Sequence, residues 1–175
     1  IMGWTVSQQD QTRAKRLETL RSAMAAAGFD GWIIGREDMY QGEEVPAGDE
    51  RLAYLSGFTG SAGFAVVLGD RAGLFSDGRY SLQMPAQTNL ADWDCNTTPD
   101  VKCEDWLKTA RLASGAIIAI DGRLVSVAGF RRFEKSVLAA GGTLVCHHEN
   151  LLDQQWHDRP ASPPAASWQM PIENA

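Results

Sequence analysis

Apolar and polar positions along the chain follow two rhythms, and each predicts a different kind of element. From Gln8 to Ala27 the rhythm is helical: Leu17, Leu20, Met24 and Ala27 recur three and four residues apart, with Arg13, Lys15, Arg16, Glu18 and Arg21 between them. Gly28 stands where a glycine in the left-handed conformation closes such a helix. Trp32-Ile33-Ile34, bounded by Gly31 and Gly35, is a short apolar run of the kind that forms a buried strand. From Arg36 to Glu50 the chain turns polar, punctuated by Gly42, Pro46 and Gly48. A stretch of that length without a period reads as a loop, and long loops often carry function. Asp49 is placed to cap a short helix through Leu52 and Tyr54 that must end near Gly57.

The runs Phe64 to Leu68 and Ala72 to Phe75 flank Gly69-Asp70-Arg71, which is turn chemistry, so they predict an antiparallel hairpin. A helix is expected from Tyr80 onward, with Asp77 near its N-terminus and its start close before Pro85. The remainder alternates: a strand over Trp93 to Thr97, a helix over Lys102 to Ala113, a strand over Ala116 to Ile120 and a helix over Val125 to Ala140. Trp106, Leu107 and Ala110 share one side of the first of these helices. Phe130, Phe133 and Val137 face inward from the second. Gly141-Gly142 stops it, and Thr143 to Cys146 makes a last strand. Helices alternating with short buried strands predict a three-layer αβα domain of the α/β class. The hairpin makes its sheet mixed. After Leu152 the composition shifts toward Arg159-Pro160 and Ala161-Ser162-Pro163-Pro164-Ala165-Ala166-Ser167, an extended linker. The expected division is a domain over residues 8–152 and a linker over 153–175 toward a following domain that this chain lacks.

Composition narrows the function classes. The chain has 175 residues, 44% of them hydrophobic and 22% charged, which suits an ordinary globular domain. A net charge of −6 with scattered basic residues argues against nucleic acid. The densest basic run, Arg131-Arg132 with Lys135, reads as a solvated helix face. No apolar run approaches the roughly 20 residues that span a bilayer. The first residues lack the apolar stretch of a signal peptide. Three cysteines, Cys95, Cys103 and Cys146, are too few and too odd for a disulfide framework and suit a reducing compartment, so cytoplasm is the default.

Several motifs carry candidate chemistry. Gly57, Gly60 and Gly63 form G-x-x-G-x-x-G, which is neither a dinucleotide fingerprint nor a P-loop; close backbone packing is the favoured reading. Ser61 lacks the nucleophile elbow, because Thr59 stands where its first glycine would be. Cys146-His147-His148-Glu149 has metal-friendly side chains, but neighbours on a strand point to opposite faces. Asp121-Gly122-Arg123 reads as a turn toward the next helix. Arg79 follows a glycine at the end of the hairpin and precedes Tyr80, so its guanidinium is expected at a strand-to-helix junction, where ligands of α/β folds collect. From the residues alone, binding a ligand and pairing with Glu50 or Asp70 both remain open. No acid–base pair, nucleophile or ligand set completes a catalytic site around it.

Tyr54-Leu55-Ser56-Gly57-Phe58-Thr59-Gly60-Ser61-Ala62-Gly63, a hairpin, and then Ser76-Asp77-Gly78-Arg79-Tyr80-Ser81-Leu82-Gln83 closely resemble the N-terminal domain of Xaa-Pro aminopeptidases (aminopeptidase P), of the creatinase/prolidase group. Asp105-Trp106-Leu107, the strand ending Ile120-Asp121, and Glu149-Asn150-Leu151-Leu152-Asp153-Gln154-Gln155-Trp156 extend the resemblance from about Arg13 to Pro160. It implies a non-catalytic domain that contributes to dimerisation and gates substrate for an enzyme removing an N-terminal residue before proline. It further implies two divalent metal ions, manganese, in a catalytic domain that this chain does not contain. No catalytic or metal-binding residue is then expected here. The partners implied are a peptide with proline second, the protein's own catalytic domain and a second copy. Arg79, with Tyr80 beside it, is the candidate substrate-binding residue. Two departures are Pro85, where relatives commonly carry alanine, and Phe75-Ser76-Asp77 in place of Trp-Thr-Asp. The alternatives are a creatinase or prolidase-type hydrolase and a stand-alone ligand-binding domain.

Overall fold

The computed structural model describes residues 8–162 and residue 172. A long helix, α1 (Gln8–Ala27), leads into strand β1 (Gly31–Gly35). The short helix α2 (Arg51–Ser56) precedes the hairpin of β2 (Phe64–Leu68) and β3 (Ala72–Asp77). Then follow α3 (Gln83–Gln87), β4 (Asp94–Thr98), α4 (Cys103–Thr109) and β5 (Ile117–Asp121). The last elements are α5 (Val127–Ala139), β6 (Thr143–His147) and α6 (Leu151–Gln155).

The six strands form one sheet in the order β4-β3-β2-β1-β5-β6. β2 runs antiparallel to β1 and β3, while the pairs β3–β4, β1–β5 and β5–β6 are parallel. A tight turn joins only antiparallel neighbours, and parallel neighbours need a longer crossover, so the hairpin accounts for the single reversed strand. The mixed sheet expected from the hairpin is therefore present. Side chains alternate between its faces. Trp32, Ile34, Val67, Leu74 and Ala119 pack with Leu17, Leu20, Met24, Leu55, Leu151 and Leu152, beneath α1, α2 and α6. Ile33, Val66, Phe75, Ile118 and Ile120 pack with Trp106, Leu107, Phe133 and Val137, beneath α4 and α5. Both faces are covered, which gives the three layers. Fully burying a Val, Leu, Ile, Phe or Met side chain stabilises the fold by about 1.5–3 kcal/mol before entropy is counted.

Local expectations fail where long-range contacts outvote local signals. Asp49 does not cap α2. The N-cap residue is Glu50, without a side-chain hydrogen bond, and the Asp49 carboxylate instead accepts from Arg51 and Arg159. Ala27 is exposed, since the chain turns away at Gly28. No continuous helix starts at Tyr80. A 3-10 turn over Gly78–Tyr80 comes first, and α3 begins at Gln83. Pro85 is then the third residue of α3, where its missing N–H would have had no intrahelical partner. α4 ends at Thr109 rather than Ala113, because Arg111 adopts a φ of 52° that no helix continues. β3 runs on through Ser76 and Asp77 because β4 pairs with them.

The chain stays packed beyond Leu152. Asn150 caps α6 by accepting from Leu152 N at 3.0 Å. Trp156 stacks on Tyr54 with ring centroids 4.1 Å apart. Arg51, which is only 4% exposed, donates to both carboxylate oxygens of Asp153 at 2.7 and 2.9 Å. Arg159 closes the network on Asp153 and Asp49, at 2.9 Å each. The start of the expected linker thus supplies side chains to the domain. Its proline-rich part, from Pro163 through Ser167, lies outside the described residues.

Candidate functional site

All strands except β2 run the same way, so β1, β3, β4, β5 and β6 end on one edge of the sheet. β1 is also where the connections part, with β2 on one side and β5 on the other. Ligands of α/β sheets collect at such an edge. The double motif of the sequence lies there. Gly57 has φ +85° and closes α2; a Cβ at that position would sit 2.5 Å from the Arg13 guanidinium. Gly63 has φ +155°, and a Cβ there would lie 2.8 Å from the Phe75 carbonyl oxygen. These glycines let the backbone pack against its neighbours, as the close-packing reading requires.

The hairpin delivers Arg79 to this edge. Asp77 accepts from the Arg79 backbone N at 3.0 Å, from its Nε at 2.9 Å and from its Nη2 at 2.8 Å. The arginine therefore pairs with the aspartate two residues before it. Glu50 is taken by Arg36 at 2.8 Å, and Arg79 pairs with neither Glu50 nor Asp70, the examples the sequence offered for a surface ion pair. Local Asx-turn geometry wins over both, because it costs no long-range ordering. The hydrogen bonds from the Arg79 side chain and backbone hold the Asp77 carboxyl at about 2, and Asp77 in turn raises the Arg79 guanidinium above its ordinary value. Arg79 Nη1 carries no hydrogen bond among the described residues, and the side chain is 66% exposed. A fixed, outward-facing cation of this kind can take a carbonyl or carboxylate oxygen.

Tyr80 packs edge-on against Phe58, with centroids 5.5 Å apart. Its hydroxyl lies 2.6 Å from Ser61 Oγ and accepts from Ser61 N at 3.1 Å. The Ser61 side chain and backbone hydrogen bonds hold the phenol below its ordinary value. Ser61 is thus engaged by a tyrosine rather than by a histidine. Tyr80 fixes the loop beside Arg79.

Arg79, Asp77 and Ser61 border a cleft of about 780 Å³. Phe64 stacks on Phe75 with centroids 4.8 Å apart, and Phe133 meets Phe64 edge-on at 5.0 Å, which gives the cleft an aromatic surface. The polar loop after β1 contributes Arg36, Glu37 and Glu43, the start of α4 contributes Lys102 and Cys103, and α5 contributes Arg132. Burial pushes the Cys103 thiol up to about 12. The sequence flags the length of the loop but not Arg36, Glu37 or Glu43, and Arg132 reads there as part of a solvated helix face. Phe130 and Phe133 at helical spacing are the available sign that one face of α5 turns toward the sheet.

The other motifs have structural roles. Asp121 is 2% exposed and repeats the turn of Asp77: it accepts from Arg123 N at 3.0 Å, Nε at 3.1 Å and Nη2 at 2.9 Å. Asn150 adds a bond at 3.1 Å, tying the end of β5 to α6. Burial alone would raise the Asp121 carboxyl; the Arg123 and Asn150 hydrogen bonds outweigh it and hold the group below its ordinary value. His147 meets Phe29 and Trp32 edge-on, at 5.1 and 6.0 Å, while Cys146 is exposed. Among the described residues no group of three or more His, Cys, Asp or Glu side chains is placed to hold a metal ion. No described helix is long and apolar enough to cross a membrane.

Comparison with known proteins agrees with the architecture. The family model of the creatinase/prolidase N-terminal domain matches residues 16–155. A probable Xaa-Pro aminopeptidase P of Arthroderma otae is 37% identical over 166 residues, which are 92% of this chain and 26% of that protein. Its counterpart in Coccidioides posadasii is 34% identical over 175 residues, 98% of this chain and 27% of that protein. The chain thus spans about a quarter of the length of these curated relatives. Among solved structures, an X-prolyl aminopeptidase from Caenorhabditis elegans, described as a cytosolic enzyme with a di-nuclear active site, superposes with a TM-score of 0.75. It is 30% identical and covers 85% of this chain and 26% of that one. The N-terminal domain of the cytoplasmic peptidase PepQ from Mycobacterium tuberculosis superposes with a TM-score of 0.60 at 25% identity, covering 80% of this chain and 97% of that one.

Proposed function

The chain belongs to the creatinase/prolidase N-terminal domain family, and on that premise we propose that it is the non-catalytic, substrate-gating domain of a metal-dependent Xaa-Pro aminopeptidase. The observation that carries this reading is Arg79, an exposed cation fixed by Asp77 at the rim of the cleft, with no hydrogen bond on Nη1 among the described residues. Such a group adds charge-assisted hydrogen bonds to a substrate carbonyl or terminus without supplying a nucleophile or a base. Tyr80 keeps the neighbouring Ser61 loop in register with it.

The di-nuclear site named for the C. elegans enzyme has no counterpart among the described residues. The metal chemistry, with manganese as the ion that family resemblance favours, belongs in this reading to a catalytic domain outside the matched region. The same resemblance supports a homodimer, and the cytosolic description of the C. elegans enzyme supports a cytoplasmic location. Aminopeptidase P is preferred to creatinase or prolidase because relatives described as Xaa-Pro aminopeptidase P align over nearly the whole chain. The test is Arg79→Ala in the full-length protein. On a tripeptide with proline second, kcat/KM should fall about 10- to 150-fold, the range expected for charge-assisted bonds.

A further inference from the structure

Four basic and four acidic side chains line the cleft, and only some of them are neutralised locally. Arg79 pairs with Asp77, Arg36 with Glu50 and Glu104 with Lys108. Lys102, Arg132, Glu37 and Glu43 have no ion pair among the described residues. The two free cations come from the start of α4 and the middle of α5. The two free carboxylates come from the loop after β1. Phe64, Pro99 and Phe133 supply apolar surface in the same cleft, whose volume of about 780 Å³ lies in the range of small-molecule sites.

From this arrangement we infer that the cleft is a binding site for a short peptide in its zwitterionic form. Lys102 and Arg132 take the carboxylate. Glu37 and Glu43 take the terminal ammonium, and Phe64 and Pro99 contact an apolar side chain. A polyanion fits poorly, because each free cation in the cleft is matched by a free carboxylate. The choice of a peptide over another zwitterion rests on the peptidase reading above, whereas the charge pattern does not.

The test uses the 175-residue chain itself. The ¹⁵N-labelled protein is titrated with Ala-Pro-Phe, with its C-terminal amide and with its N-acetylated form. The free tripeptide should give saturable amide shifts at Glu37, Gly63, Phe64 and Arg132. Blocking either terminus should weaken binding about tenfold or more, the effect of losing one charge-assisted contact. Lys102→Ala with Arg132→Ala should abolish the preference for acid over amide. Glu37→Gln with Glu43→Gln should abolish the preference for the free amine. All four residues are exposed, so the variants should keep the wild-type spectrum away from the cleft. Absence of saturable shifts at about 10 mM peptide, shifts centred elsewhere, or equal binding of the three ligands would overturn the site. The gating proposal fails separately: an unaffected Arg79→Ala enzyme removes Arg79 from catalysis and leaves this binding result standing.

Discussion

Arg51 fastens α6 to the domain, and Arg51→Met isolates that contribution while keeping most of the apolar stem. The guanidinium spans both oxygens of Asp153 and reaches Asp49 at 2.9 Å, with its side chain only 4% exposed. Burial alone would lower the Arg51 pKa, but the Asp153 and Asp49 carboxylates outweigh it and raise the group above its ordinary value. Breaking a buried pair by removing one partner costs about 3–5 kcal/mol. Here the loss is smaller. Asp153 and Asp49 are 21% and 17% exposed and each keeps Arg159, so about 2–3 kcal/mol is expected. For a chain of this length that lowers Tm by about 4–12 °C. Urea unfolding should show the loss as a lower midpoint with an unchanged slope. A double-mutant cycle with Asp153→Asn should return a coupling of about 1.5–3 kcal/mol. A loss under about 0.5 kcal/mol, together with a coupling near zero, would refute the clamp.

Two further consequences follow from the titrating groups. The Asp121 and Asp77 carboxyls are both depressed in the fold, so their contribution is present above the ordinary aspartate value of about 3.9 and is lost as pH falls through the folded value. Asp121→Asn should lower stability near neutral pH and flatten its acid dependence below about pH 4; an acid limb identical to that of the wild type would contradict the Arg123–Asn150 assignment. Cys103, buried with its thiol pushed up to about 12, should resist alkylation at about pH 8 until the protein unfolds, while the exposed Cys146 reacts at once. Equal labelling rates of the two in the native protein would show that the α4 wall of the cleft opens.

The strands are legible in the sequence because five of the six are short apolar or β-branched runs between turn residues, and the period of the long helix is legible from Leu17, Leu20 and Met24. What escapes is set by distance in sequence. Asp49 looks like a local cap because its partner Arg159 lies 110 residues away. Residues 153–160 look like a linker because their composition hides the ionic contacts that hold them. Arg79 is visible as a candidate from its glycine and its place after the hairpin. Its pairing with Asp77 is obscured by the pull of more distant partners, although Asp-Gly-Arg occurs twice and forms the same turn both times. Lys102, Arg132, Glu37 and Glu43 meet only through the fold, and no spacing in the sequence brings them together.

That repeated turn also supplies the control for the most direct test. Arg123 is held by Asp121 as Arg79 is held by Asp77, and it is likewise exposed, but it does not border the 780 Å³ cleft. In the full-length protein, kcat/KM for a tripeptide with proline second should fall about 10- to 150-fold with Arg79→Ala and stay within about twofold of wild type with Arg123→Ala. An unchanged value for Arg79→Ala, or equal losses for the two variants, would contradict the assignment of substrate gating to Arg79.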